Sequence, residues 1–282
     1  MDKYLIELYI FLLGTLIGSF LNVCIYRIPR KKSIVLPRST CPHCNNRIRP
    51  WDNIPILSYI LLGGKCRFCK QPISLRYPMV EFLTGFLFWL TLHTFGFTPV
   101  AFSYLIFLSA LIVMAFIDIE HQIIPDVISL PGIVGGLLLA WLTLPLSVLQ
   151  SLIGALVGGG VIYLVGFLSL AVLGKEGMGG GDIKLMAMIG TFLGWKNTLL
   201  TIFLGSVTGS LIGVSLILFK KKKRDDYIPF GPFLVLGAIV SLFLGNRIIN
   251  WYFRMGDLTT LHQTLASPKL SLPILLSVFF PQ

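Results

Sequence analysis

Two aspartates and four cysteines are the residues of this 282-residue chain whose types and spacing could carry chemistry. Asp182 closes the run Gly177-Met178-Gly179-Gly180-Gly181 and opens an apolar segment, while Asp118 follows the apolar Met114-Ala115-Phe116-Ile117. A carboxylate beside an apolar segment is costly unless it has a partner or a task. Two carboxylates held close do not both ionise readily, so they share a proton. One then acts as base toward a water while the other donates to a carbonyl oxygen. That chemistry hydrolyses a peptide when an extended strand lies beside the pair. Glycines 179–181 would leave room for such a strand and permit conformations closed to other residues. Structural roles stay open: Asp182 as N-cap of a segment starting at Ile183, and Asp126, which follows Pro125, as the cap of another helix.

The cysteines form two pairs, Cys41-Pro42-His43-Cys44 and Cys66-Arg67-Phe68-Cys69, separated by 21 residues, with Cys24 alone in an apolar run. Each tight pair closes one side of a tetrahedral site, and four thiolates suit zinc. Redox pairing and unliganded thiols are the competing readings. The surrounding loop of about 50 residues has few large apolar side chains and needs such a staple to hold a fold. His43 is expected at the surface, and a closed four-ligand site is expected to be structural.

Of the chain's residues 55% are hydrophobic and 12% charged, and the mean hydropathy is +0.84. Soluble domains carry roughly 25% charged residues, so an integral membrane protein is expected. The net charge of +11 is then a matter of topology and not of nucleic-acid binding. Apolar runs near the ~20 residues needed for a crossing are Leu5–Ile25, Met79–Phe95, Val100–Ile117, Val127–Leu144 and Val148–Leu173. A short segment, Ile183–Leu193, precedes Thr198–Phe219 and Phe230–Leu244, the last open to extension toward Trp251. The tail Leu270–Phe280 is too short to count. The N-terminal run lacks a basic n-region and a cleavage site and is expected to be a retained helix.

Between the first two helices, residues 27–78 hold eleven Lys or Arg against one acid, Asp52, which places this loop in the cytoplasm. Counting crossings from it puts Asp118 and Asp182 on the same side. The basic stretch Lys220–Arg224 falls there too only if Ile183–Leu193 also crosses. The expected fold is therefore all-α and polytopic, with about eight transmembrane helices, both termini outside, and a cytoplasmic zinc-knuckle loop between helices 1 and 2. Gly154-x-x-x-Gly158 signals close helix packing. No repeat of 20–50 residues is present.

Six ordered segments give the chain a strong resemblance to the bacterial type IV prepilin peptidases, bifunctional leader peptidase/N-methyltransferases of the GxGD aspartic intramembrane protease class. They are Gly18–Pro29, the two cysteine pairs, Trp51–Cys69, Ile73–Glu81, Ile117–Asp126 and Gly177–Leu185. The resemblance implies that Asp118 and Asp182 form a catalytic dyad. It also implies removal of a short basic leader from type IV prepilins or type II secretion pseudopilins at the cytoplasmic face of the inner membrane. The new N-terminus would then be methylated with S-adenosylmethionine. Gly179, Gly181, Glu81 and Asp126 are the expected substrate contacts. For Glu81, at the mouth of helix 2, a solvated or Arg-paired carboxylate is an equal alternative. Asn22, Tyr26 and Arg27 lie in a matching segment but would equally anchor helix 1. No strand–GxGxxG–helix unit marks a cofactor pocket.

The implied division is 1–26 first helix, 27–78 zinc loop and methyltransferase region, 79–255 peptidase core, and 256–282 tail. The partners are prepilin substrates and membrane lipid. A transporter or channel binding a cation or proton at the two aspartates is the rival reading, and a non-enzymatic assembly scaffold is a third.

Overall fold

A computed structural model describes residues 3–174, 178–219 and 229–256. The expected features at Gly177, Lys220–Arg224 and Leu270–Phe280 lie outside the described residues. The chain divides into two compact units, Met1–Leu242 and Phe243–Gln282. All named elements are helical: α1 (Lys3–Arg27), a 3-10 turn (Pro50–Asn53), α2 (Leu57–Leu61), α3 (Arg76–Phe95), α4 (Pro99–His121), α5 (Asp126–Leu142), α6 (Val148–Leu173), α7 (Gly180–Leu218) and α8 (Gly231–Gly256). Among the described residues α1, α4, α6, α7 and α8 are long and apolar enough to cross a membrane, and α5 is a shorter apolar helix. Membrane protein is therefore the class that length and composition support.

Helix ends follow local chemistry. Thr98 caps α4 by accepting the Ala101 N–H, with Pro99 at its first position. Ser147 and Gln150 form a capping box on α6. Gln122, in the left-handed region at φ 54°, ends α4, and its N–H donates to the Asp118 carbonyl at 2.9 Å.

Helix α7 is not straight. Gly194 has φ 71° and ψ 166°, a conformation reserved for glycine. A Cβ added at Gly158 of α6 would lie 2.3 Å from the Met186 carbonyl oxygen and 3.0 Å from Thr198 Cγ2. Those two residues would be ~18 Å apart along a straight helix, so the chain doubles back at Gly194. The limbs, residues 180–193 and 195–218, correspond to the short segment and the following span expected from the apolar runs. Backbones meet closely here: a Cβ at Gly154 would stand 2.2 Å from the Gly190 oxygen, and one at Gly190 would stand 2.1 Å from the Gly154 oxygen. Ser151 Oγ adds a buried hydrogen bond to the Thr191 carbonyl at 2.6 Å.

The core of the first unit lies among α4, α5, α6, the first limb of α7 and the start of α8, through Phe107, Leu111, Met114, Ile162, Leu185, Ile189 and Leu234. Phe107 and Phe192 stack at 4.4 Å between centroids. Helices α1 and α3 pack antiparallel, with Gly14 against Gly85 and Gly18 against Glu81. Ion pairs then tie one end of the bundle together. Arg76 of α3 binds Glu120 of α4 at 2.5 Å, and Lys184 of α7 binds Asp126 of α5 at 2.7 Å. Arg30, just past α1, lies 3.3 Å from His121 of α4. This end holds the cysteine loop and both aspartates.

Candidate active site

Asp118 sits in the last turn of α4 and Asp182 in the first turn of α7, each only 4% exposed. Asp118 is the ionisable group whose charge acts on Asp182, which puts the two carboxylates in one electrostatic site. The Gly231 N–H, at the start of α8, donates to Asp118 Oδ2 at 3.1 Å. Three helix ends therefore converge on the pair. Met114 of α4, Leu185 and Met186 of α7 and Leu234 of α8, from the same three helices, belong to one buried apolar cluster.

The glycines preceding Asp182 divide by role. Helix α7 begins at Gly180 with Gly179 as its N-cap, so Asp182 is inside the first turn and does not cap a helix from Ile183. Gly179 has φ −78° and ψ 148°, extended backbone open to any residue. What these glycines supply is space and not unusual torsion. A Cβ at Gly181 would meet Ile124 Cβ at 3.0 Å, which locks the α4–α5 corner against α7. Among the described residues a Cβ at Gly180 would have nothing within 4 Å, and one at Gly179 would have only Asp182 Oδ2 at 3.8 Å and Gly181 N at 4.0 Å. The open face beside Asp182 is thus at Gly179 and Gly180.

Asp126 is the first residue of α5, and Pro125 is the N-cap position, with no side-chain cap bond. Its carboxylate instead accepts from Lys184 Nζ at 2.7 and 2.8 Å. The expected capping role is replaced by a clamp between the starts of α5 and α7. Glu81 is away from the pair, 7% exposed on α3. Its Oε2 accepts the Ile56 N–H at 2.7 Å, and the Ser19 hydroxyl also bonds to it. Ile56 holds φ 63°, so the buried carboxylate secures a strained turn of the loop. Asn22 of α1 donates to the Tyr77 carbonyl at 3.1 Å, and Arg27 donates to the Ser33 and Pro37 carbonyls at 2.8 and 2.6 Å.

The four cysteine sulfurs lie within 4.8 Å of one another, with Cys41 and Cys69 Sγ atoms 3.9 Å apart. A tetrahedral zinc site with Zn–S near ~2.3 Å separates its sulfurs by about 3.8 Å, whereas a disulfide needs about 2 Å. The donor set fits a four-thiolate metal ion. Each pair is held by the same backbone device. The Asn45 N–H donates to the Cys41 carbonyl and the Lys70 N–H to the Cys66 carbonyl, at 2.9 and 3.0 Å. Asn45 and Lys70 both take positive φ, at 55° and 60°. The Cys41 and Cys66 N–H groups donate to Asn46 and Gln71, closing two matched knuckles. Hydrogen bonds from the Cys69 and Phe68 N–H groups and from neighbouring thiols bring the Cys66 thiol down to about 7 against burial. Arg67 grips Asp52 through two bonds, at 2.8 and 2.6 Å, and holds that carboxyl below its ordinary range.

Fold and site together define an all-helical membrane protein with two buried aspartates at one end of its bundle and a separate four-thiol loop. Residues 12–95 match the Bacterial Peptidase A24 N-terminal domain, and residues 105–214 match the Type IV leader peptidase family. A prepilin leader peptidase/N-methyltransferase of Pseudomonas aeruginosa is 39% identical over 268 residues, spanning 87% of this chain and 92% of that protein. Proteins of the same description from Aeromonas hydrophila and Legionella pneumophila are 36% and 37% identical, spanning 86% and 84% of this chain and 92% and 90% of theirs. No solved structure matches the chain. The chain belongs to the type IV leader peptidase family.

Two features escaped the sequence reading. Gly231 is one, although Pro229-Phe230-Gly231-Pro232 at the start of an apolar run marks a backbone constraint. Lys184, two residues past Asp182, is the other, and a lysine inside an apolar segment signals a nearby acid.

Proposed function

We propose that the protein cuts the short basic leader from type IV prepilins or type II secretion pseudopilins and then N-methylates the new amino terminus. The observation that carries this reading is the convergence of Asp118 and Asp182, buried and electrostatically coupled, beside the open backbone of Gly179 and Gly180. With one proton shared, the ionised carboxylate takes a proton from water as the water oxygen attacks the scissile carbonyl. The protonated partner donates to the carbonyl oxygen, and collapse sends a proton to the leaving amine. The Gly231 N–H holds Asp118 in register for this exchange. The family's activity disfavours the transporter or channel reading.

The four thiolates hold zinc as a structural staple, which fits their mutual distances, all within 4.8 Å of one another. S-Adenosylmethionine supplies the methyl group. The region assignment follows: 1–26 as first helix, 27–78 as zinc loop and part of the methyltransferase, 79–255 as peptidase core, and 256–282 as tail. Eight crossings fit the bundle, because the reversal at Gly194 makes two passes of α7. The loop end, with eleven basic residues between 27 and 78, faces the cytoplasm of a bacterial inner membrane, and both termini lie outside. Among the expected substrate contacts, Gly179 flanks the strand path, Gly181 and Asp126 hold the neighbouring helix starts in place, and Glu81 lies away from the pair, against the loop.

The test is direct. Purified protein in detergent, given S-adenosylmethionine and a peptide spanning a prepilin leader junction, should yield a shortened product heavier by one methylene in mass spectra. An intact peptide after prolonged incubation contradicts the reading.

A further inference from the structure

A cavity of about 960 Å³ lies between the loop-side ends of α1 and α3, the last turn of α4 and the cysteine loop. That is within the range of small-molecule sites, roughly 300–1,000 Å³. Most of the cationic groups around it are already engaged. Arg27 is spent on the Ser33 and Pro37 carbonyls, Arg30 on the Tyr26 carbonyl, and Arg67 on Asp52.

What remains unspent is specific. Asn22 is 2% exposed, and its Oδ1 has no hydrogen-bond partner among the described residues. Arg76 pairs with Glu120 through Nη1, yet its buried Nε–H also has no partner among the described residues. Both line the cavity, as does the buried Glu81 carboxylate. A buried acceptor and a buried donor left empty are each unfavourable, so the site calls for a ligand that completes them. Such a ligand carries an N–H donor, an anionic acceptor and a positive centre to face Glu81. Tyr59 and Tyr77 also line the cavity, with the Arg76 guanidinium 4.8 Å over the Tyr77 ring.

We infer that this cavity is the methyl-donor site, with Asn22, Arg76 and Glu81 as its recognition residues. S-Adenosylmethionine meets each demand through its amine hydrogens, its α-carboxylate and its sulfonium. The inference rests on the methyltransferase half of the function proposed above.

Its position also suits the reaction order. Glu120 lines the cavity and lies two residues after Asp118, roughly 200° around α4. The final turn of one helix therefore separates the carboxylate pair from the cavity, and the amine released at the pair has one turn to pass. That amine, with an ordinary pKa near ~7.7–8.0, first gives up a proton to solvent. Its lone pair then forms the N–C bond as the C–S bond breaks, and the electron pair stays on sulfur as a neutral thioether.

The experiment measures binding to the purified full-length protein by calorimetry, with S-adenosylmethionine and S-adenosylhomocysteine as probes. Asn22→Leu and Glu81→Gln should each weaken S-adenosylmethionine by about tenfold or more while keeping wild-type elution and helical circular dichroism. Glu81→Gln should weaken S-adenosylhomocysteine less, because that ligand lacks the sulfonium charge. Ultraviolet cross-linking of labelled S-adenosylmethionine to wild type, which does not depend on variant folding, should place the label within residues 19–81. Unchanged affinity in both variants, or label within residues 126–218, overturns the location while leaving the methyltransferase reading standing. No binding to wild type defeats that reading itself.

Discussion

The Gly231 N–H donates to Asp118 Oδ2 at 3.1 Å, joining the end of α4 to the start of α8 at the carboxylate pair. A Cβ on residue 231 would stand 2.6 Å from that oxygen, too close for the bond to survive unmoved. Gly231→Ala should lower kcat for leader cleavage roughly 100-fold, the scale of a small misplacement of a reacting group, with little change in KM. Steady-state kinetics on a leader peptide check this. A wild-type kcat removes Gly231 from the site.

The matched knuckles make metal binding a pH-dependent event. Cys66 has its thiol lowered from 9.0 to about 7, so its thiolate supports the loop above that range and is lost as pH falls through about 7, while the neighbouring Cys69 thiol is raised to about 11 and keeps its proton until a metal displaces it. Zinc must displace any thiol protons, so its affinity should fall steadily from about pH 8 to pH 6 in chelator competition. Cys41→Ser and Cys66→Ser should each lose zinc in metal analysis. A pH-independent affinity, or full zinc in the double variant, refutes the four-thiolate site.

The contact of α6 with α7 provides a paired stability test. Gly154→Leu drives a Cβ to 2.2 Å from the Gly190 oxygen, whereas one at Gly160 would have nothing within 4 Å among the described residues. Gly154→Leu should cost about 1–3 kcal/mol or more, seen as a lower unfolding temperature in detergent. Gly160→Leu should stay within about 0.5 kcal/mol of wild type. Equal effects would contradict the close backbone approach.

Residue type and spacing made much of this architecture readable before any coordinates. Asp118 and Asp182 stood out because carboxylates beside apolar runs are rare, and the four cysteines because their pairs share one spacing. The break between Leu193 and Thr198 was visible as a dip in apolar pattern, and Gly194 turned out to be a full reversal. Tertiary relationships were not readable in the same way. A local rule assigns Asp126 to a helix cap, yet Lys184, distant in sequence, competes for the carboxylate and wins it. Gly181 offers space in sequence terms, and only packing reveals Ile124 in that space. Glu81 and Ile56 meet through a loop whose path no periodicity encodes.

The measurement that bears most directly on the central claim is leader cleavage by Asp118→Asn, Asp182→Asn and the double variant, all as purified protein with native elution and zinc content. If the two carboxylates share one proton and one reaction, each single change should lower kcat by about 10³-fold, and the double change should cost little more than either alone. Near-wild-type cleavage by either single variant, or losses that multiply in the double variant, would contradict a dyad at Asp118 and Asp182.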